Sequence, residues 1–344
     1  MSINDAVLLT ASVASSTIMV LSGLLSRRKK KSHGAVSTVS SIPLNVRING
    51  LMEYRYTTSK ETFKVSLPFA PEGFKGEWSC IKLGCGGWGC AYLCKNSEKR
   101  VVFKVPLGFE SIIEGGIAPT VDTRLLKKII SEAEAVKSLK HPNILKLLGY
   151  SDRAPVLVYE FADHGSLEWQ LANGWKPTFR DIVLVSIQVG DALRYIHSRG
   201  LVHGDIKPGN IFVAGGIAKV GDFSSLVKLV AMSSTHSRFA YTLGFRAPEQ
   251  VYADLRREAV SMGFESRIDT YQLGNLLLYL LTGDTLDGED TVKPGAVEEA
   301  IKGVDYPGLR EVIRKALTPN PLKRPSAEDI VRELLRIWEE IRHE

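Results

Sequence analysis

The chain is poor in cysteine and has no Cys-x-x-Cys pair. Its 4 cysteines, Cys80, Cys85, Cys90 and Cys94, all fall within the stretch SCIKLGCGGWGCAYLC. Alternating strand positions do not converge as the paired ligands of a zinc knuckle do, and the 7 histidines show no metal spacing, so a metal cluster is not expected. Excess charge is missing too, once it is mapped. The formal net charge is +6, but Arg27, Arg28, Lys29, Lys30 and Lys31 supply five of those charges. The remainder is close to neutral, so no basic face of a nucleic-acid binder is implied. Apolar and charged fractions of 44% and 24% are those of an ordinary globular chain, and 344 residues suffice for one large domain or two lobes.

Long apolar runs are scarce, and the one present, AVLLTASVASSTIMVLSGLLS, covers Ala6 to Ser26. Its 21 residues match the roughly 20 that cross a bilayer as a helix. A cleaved signal peptide would carry its positive charge before the run, where Asp5 stands instead. A core helix rarely opens a chain and ends in RRKKK. The reading is therefore a transmembrane anchor over residues 1–31, with the span at 6–26 and the basic cluster against anionic headgroups. Clustered Lys and Arg stay on the cytoplasmic side, which predicts a single-pass cell-membrane protein whose remainder is cytosolic.

A polar linker, 32–42, precedes a small β extension at 43–73. IPLNVRI, LMEYRYTT and ETFKVSLP read as two or three short strands, with Asn49-Gly50 as a hairpin signal. So small a β unit is marginal alone and is expected to lean on the next domain or on a partner.

Chemistry-bearing residues become dense after about residue 76. Gly84, Gly86 and Gly89 form a G-x-G-x-x-G between two strand-like runs. Glycines let a backbone pass close over phosphates with its amides free to donate. A dinucleotide site has the same spacing but a helix directly after the third glycine, and here Cys90-Ala91-Tyr92-Leu93 continues as a strand. Lys104 sits inside the strand VVFKV. Such a lysine usually points to solvent; turned inward, it would grip phosphate and need a carboxylate to hold it. Ile129, Ile130, Ala133, Val136 and Leu139 mark a helical apolar stripe, and Glu132 beside it is the expected partner. Further on, LVHGDIKPGNIFV packs Asp205, Lys207 and Asn210 into six residues, and KVGDFSSL places Asp222 after a short strand. Asn210 and Asp222 offer oxygen ligands suited to Mg2+. Asp205 is placed to accept a hydroxyl proton, and Lys207 to neutralise a phosphoryl group in transit.

In this order and spacing the residues resemble the eukaryotic-type serine/threonine protein kinases, from about residue 78 to about 340. The glycine loop, Lys104, Glu132, the catalytic loop His203-Gly204-Asp205 with Lys207 and Asn210, the metal motif Asp222-Phe223, and Ala247-Pro248-Glu249 all have counterparts in the family. The resemblance implies an α+β, two-lobed kinase fold over 74–344. Its N-lobe (74–161) would be antiparallel sheet with one main helix, and its C-lobe (162–344) mostly helical. It also implies ATP and Mg2+ as cofactors, Ala91 and Val102 against adenine, Tyr159 as gatekeeper, and Glu160 to Ala162 as the hinge. Asp269 would be the aspartate of the central large-lobe helix, and Arg324 would pair with Glu249. Lys207 in Asp-Ile-Lys-Pro-Gly-Asn, and Thr242, fit serine/threonine rather than tyrosine kinases. Protein substrates and autophosphorylation follow from the resemblance.

Two departures stand out. Gly204 replaces the family's common arginine, which grips an activation-loop phosphate. Ser224 replaces the glycine of Asp-Phe-Gly. Neither removes a catalytic group, so an active enzyme is expected; a membrane-tethered pseudokinase acting as a nucleotide-binding scaffold is the alternative. Ser233, Ser234, Thr235 and Ser237 are candidate phosphorylation sites or simply a polar loop. A hairpin centred near Gly87 would set Cys80 opposite Cys94, yet disulfides are rare in cytosolic domains. Free thiols are therefore expected, with Cys85 and Cys90 near ATP and open to oxidation.

Overall fold

The computed structural model describes residues 42–43, 46–55, 62–86, 89–117, 120, 122–228 and 242–342. The proposed span at 6–26, its basic cluster and the Ser233–Ser237 loop lie outside them. Among the described residues no helix is long and apolar enough to cross a membrane.

Alternation builds the first lobe. In β4 (Arg100–Pro106) every second residue, Val101, Phe103 and Val105, is buried, while Val102 and Lys104 are half-exposed. That period of two sorts one face to a core and the other to a cavity. β4 belongs to a six-stranded sheet with β1 (Thr62–Ser66), β2 (Glu77–Cys85), β3 (Gly89–Lys95), β5 (Leu147–Tyr150) and β6 (Leu157–Glu160), in the order β1-β2-β3-β4-β6-β5. All its pairs are antiparallel. Val65, Trp78, Tyr92 and Phe103 pack beneath it, with Trp78 and Phe103 edge to face at 5.2 Å. Register places Ala91 opposite Lys104 and Leu93 opposite Val102, so these four share the cavity face. Helix α1 (Thr123–Lys137), capped by Asp122 on the Arg124 amide, buries Ala133 and Val136.

The second lobe is mostly helical. α2 (Phe179–Ser198) opens with a reciprocal Thr178–Asp181 cap and is buried along most of its length. α3 (Arg267–Thr282), α4 (Pro307–Ala316) and α5 (Ala327–Ile341) complete this core, through Leu273, Leu277, Ile313 and Leu334 among others.

Two expectations are corrected here. The cysteines are not free: Cys80 is bonded to Cys94 and Cys85 to Cys90. The antiparallel register sets each pair face to face, with Cα atoms 4.1 and 4.0 Å apart, and this local geometry overrides the compartment argument. The β extension also differs. ETFKVSLP does supply β1, but the described parts of IPLNVRI and LMEYRYTT form no strand. Asn49-Gly50 turns no hairpin because tertiary partners take the polar groups a hairpin would use. The Asn49 amide donates to Asp181 Oδ1 at 2.9 Å, and Trp175 Nε1 donates to the Asn49 carbonyl at 3.0 Å.

Candidate active site

A cavity of about 250 Å³ opens beneath the glycine hairpin. Gly84, Gly86 and Gly89 edge it, Ala91, Val102 and Lys104 come from the sheet face, and Tyr159, Glu160 and Ala162 from the end of β6 and the segment after it. Asp222 lies on the far side. The Glu160 carboxylate turns away to Lys219 Nζ at 2.9 Å and the Lys146 amide at 2.8 Å, so residue 160 meets the cavity through its backbone. Leu145, Phe212 and Leu83 also line the space. Phe212 was legible in principle, as the apolar residue two places after Asn210; Leu145 carried no signal beyond its hydrophobicity.

Lys104 is turned inward, into the cavity. Its ammonium meets Asp222 Oδ1 at 2.6 Å. The sequence reading set Glu132 opposite Lys104; the carboxylate seen on Lys104 in the structure is that of Asp222. Asp222 is the one described non-glycine residue with positive φ, at 53°, and that left-handed backbone accompanies the placing of its carboxylate on Lys104. Glu132 still stands close to the cavity. Burial pushes the Tyr159 hydroxyl well above its ordinary pKa, and the charges of Asp222 and Glu132 push it further. Burial alone would raise the Asp222 carboxyl, but the Lys104 charge and the hydrogen bonds from Lys104 and Ser224 outweigh it and bring the pKa to about 2.

Beside this pair the loop from His203 to Asn210 is locked from both sides. His203, fully buried, accepts from the Asp205 amide through Nδ1 at 3.3 Å and bonds the Gly221 carbonyl through Nε2 at 3.0 Å. It is a packed structural residue, edge to face with Phe223. Asp269, also fully buried, accepts from the amides of His203 and Gly204 at 2.9 and 2.7 Å and from His197 at 2.7 Å. Burial alone would raise its pKa, yet His197 and the other donors hold it below the usual carboxylate value. Gly204 has φ +79°, a conformation that costs any residue with a Cβ, which gives the glycine a structural reason. Its carbonyl accepts from Gln250 Nε2 at 3.0 Å and Gln272 Nε2 at 2.9 Å. These two glutamines, missed in the sequence, hold the loop on α3 and the Ala247-Pro248-Glu249 segment.

Asp205 collects three partners. Asn210 Nδ2 donates to its Oδ2 at 2.9 Å, Lys207 Nζ stands 2.9 Å from Oδ2, and Thr242 Oγ1 donates to Oδ1 at 3.0 Å. Lys207 also donates to Thr242. A carboxylate so held is fixed in direction, with a cation beside it. Asn210 gives its amide hydrogens to the Asp205 carboxylate and carbonyl, which leaves its Oδ1 as the atom for a cation; with the Asp222 carboxylate nearby in sequence and fold, this is a hard-oxygen donor set. Farther off, Arg324 and Glu249 form the expected pair, bidentate at 2.6 and 3.0 Å.

The fold, an antiparallel sheet in one lobe and helices in the other, is that of a kinase domain. Residues 79–335 match the protein kinase domain, and the chain belongs to that family. Its relatives are serine/threonine kinases of the eukaryotic type. An Aurora kinase of Dictyostelium discoideum is 27% identical over 257 residues, 72% of this chain and 62% of that protein. An Aurora kinase of Schizosaccharomyces pombe is 30% identical over 260 residues, covering 73% and 68%. Salt tolerance receptor-like cytoplasmic kinase 1 of Oryza sativa subsp. japonica is 28% identical over 349 residues, 89% of each chain. The chain thus spans under two thirds of the Dictyostelium protein.

Proposed function

We propose that this protein transfers the γ-phosphate of ATP to serine or threonine hydroxyls of protein substrates, its own chain among them. The observation that carries this reading is the Asp205 constellation: a carboxylate held by Asn210, Lys207 and Thr242 beside a glycine-edged cavity that contains Lys104 and Asp222. The cavity takes the adenine between Ala91 and Val102 on one side and Leu145 and Phe212 on the other. Lys104 holds phosphate oxygens. Asp205 orients the attacking hydroxyl and receives its proton at the carboxylate, while Lys207 offsets charge on the phosphoryl group. Asn210 and Asp222 would hold Mg2+, which supplies charge neutralisation at the phosphates when bound. Positioning and electrostatics are what phosphoryl transfer needs, and each of these residues supplies one of the two.

The apolar run at 6–26 and the cations at 27–31 support attachment to a lipid bilayer, with the kinase domain on the cytosolic side. Flotation of the full chain with anionic vesicles, lost on deletion of residues 6–31, is the expected result. The catalytic reading is tested by incubating the full chain with γ-labelled MgATP and a basic protein, then identifying the labelled amino acids. Phosphoserine or phosphothreonine supports it. Nucleotide binding without any transfer would leave the scaffold alternative.

A further inference from the structure

Residues 46–55 lie well before the matched kinase domain, yet they are bound along the second lobe. The Ile48 amide donates to the Gly216 carbonyl at 2.9 Å, and Gln188 Nε2 donates to the Val46 carbonyl at 3.2 Å. Gln170, fully buried, saturates the backbone of Met52: its Oε1 accepts from the Met52 amide at 3.1 Å and its Nε2 donates to the Met52 carbonyl at 2.6 Å. A buried amide spent in this way fixes the register of the strap, because a slip would leave polar atoms unpaired.

The strap carries Tyr54, which lines the same cavity as Ala91, Val102 and Ala162. Three contacts set the Tyr54 ring. The Tyr54 amide donates to the Asp163 carbonyl at 2.8 Å, Trp169 lies 4.8 Å from it centroid to centroid, and Phe161 meets it edge to face at 6.5 Å. The chain beneath is shaped for it: a Cβ on Gly165 would stand 2.5 Å from Tyr54 Cδ2, and Gly165 has φ +69°. The aromatic face is therefore in place before any ligand arrives. A fixed ring bordering an apolar cavity suits a flat heteroaromatic base, which stacks at little entropic cost.

We infer that Tyr54 is a nucleotide-binding residue, supplied by the N-terminal strap, whose ring packs on the purine nucleoside at the hinge end of the cavity. The inference rests on the nucleotide reading of that cavity. Burial raises the pKa of the Tyr54 hydroxyl, so it stays protonated near neutral pH, but the ring carries the contact.

The test compares the full chain with Tyr54→Phe and Tyr54→Ala. Affinity for ATP is measured by titration calorimetry, together with KM for ATP and kcat for a peptide. The expected result is unchanged affinity for Tyr54→Phe and a loss of about tenfold in Kd and KM for Tyr54→Ala, the low-to-middle range for loss of one aromatic stacking contact, with kcat retained. Wild-type affinity in Tyr54→Ala would overturn the inference while leaving the nucleotide reading intact. Failure of the wild-type chain to bind ATP would overturn both. Should Tyr54→Ala not fold, photolabelling of the wild-type chain with 2-azido-ATP decides. Label on the peptide bearing Tyr54 supports the inference, and label confined to other peptides overturns it.

Discussion

Arg324 and Glu249 give the sharpest stability prediction. Both side chains are essentially inaccessible, at 0% and 1% exposure. The guanidinium spends all its donors: two bonds go to Glu249, and the others to the carbonyls of Thr318, Arg267 and Pro319 at 3.0, 2.7 and 3.2 Å. Tyr271 lies beneath it, 5.0 Å from centroid to Cζ. Removing one partner leaves a buried charge with nothing to offset its desolvation, at a cost of about 3–5 kcal/mol. Arg324→Met should therefore consume a large share of a typical stability of about 5–15 kcal/mol. At about 2–4 °C per kcal/mol for a domain near this size, the melting temperature should fall by about 6–20 °C. The double variant Glu249→Leu/Arg324→Met removes both charges and should recover most of the loss, since apolar replacement of a whole buried pair is often neutral. Urea melts of the wild-type, single and double variants read all of this. A loss below about 1 kcal/mol for Arg324→Met, or a double variant as unstable as the sum of the singles, would rule out an uncompensated buried charge as the cause.

Other outcomes follow from the site and its frame. Gly204→Arg, which restores the family's common residue, should cost about 1–2 kcal/mol because φ is left-handed there; a denaturant melt at or above wild-type stability would contradict this. The Lys104–Asp222 pair contributes stability above the ordinary aspartate pKa of 3.8 and loses it as pH falls toward about 2, where the carboxylate protonates. With the carboxylate partly exposed, the contribution is about 1–2 kcal/mol. Asp222→Asn should thus be less stable than wild type at neutral pH and converge with it in acid, as followed by tryptophan fluorescence. Alkylation should modify no cysteine before reduction and all four after it, and reduction should lower stability by about 2–3 kcal/mol per bridge from the loop lengths closed. Ready alkylation of Cys85 and Cys90 in the untreated chain would contradict the pairing.

What the sequence made legible was local. Asp205, Lys207 and Asn210 could be read together because they share one tight loop, and the alternation around Lys104 already marked a strand. The carboxylate that meets Lys104 could not be read, because it depends on how α1 and the Asp222 turn are placed against the sheet. Glu132 and Asp222 are equally plausible on charge alone, and their placement in the fold is not written in the local sequence. Asn49-Gly50 misled for a related reason: its hairpin signal is real, but Asp181 and Trp175, more than 120 residues away, claim the polar groups of Asn49. Gln250, Gln272 and Tyr54 left no motif at all. Amides and rings acquire meaning only when a fold brings them to a carbonyl or a cavity. The cysteines show the opposite failure, where the facing register was anticipated for Cys80 and Cys94 and then discounted on compartment grounds.

Under the proposed function Asp205 serves transfer and not binding. This is tested most directly by measuring ATP affinity and single-turnover phosphoryl transfer on the same preparation of the full chain, wild type beside Asp205→Asn. Both should bind MgATP alike while transfer by Asp205→Asn falls by at least about 10²-fold, the usual range for a positioned acid–base group. Equal transfer by the two proteins, or none by a wild-type chain that binds MgATP, would contradict it.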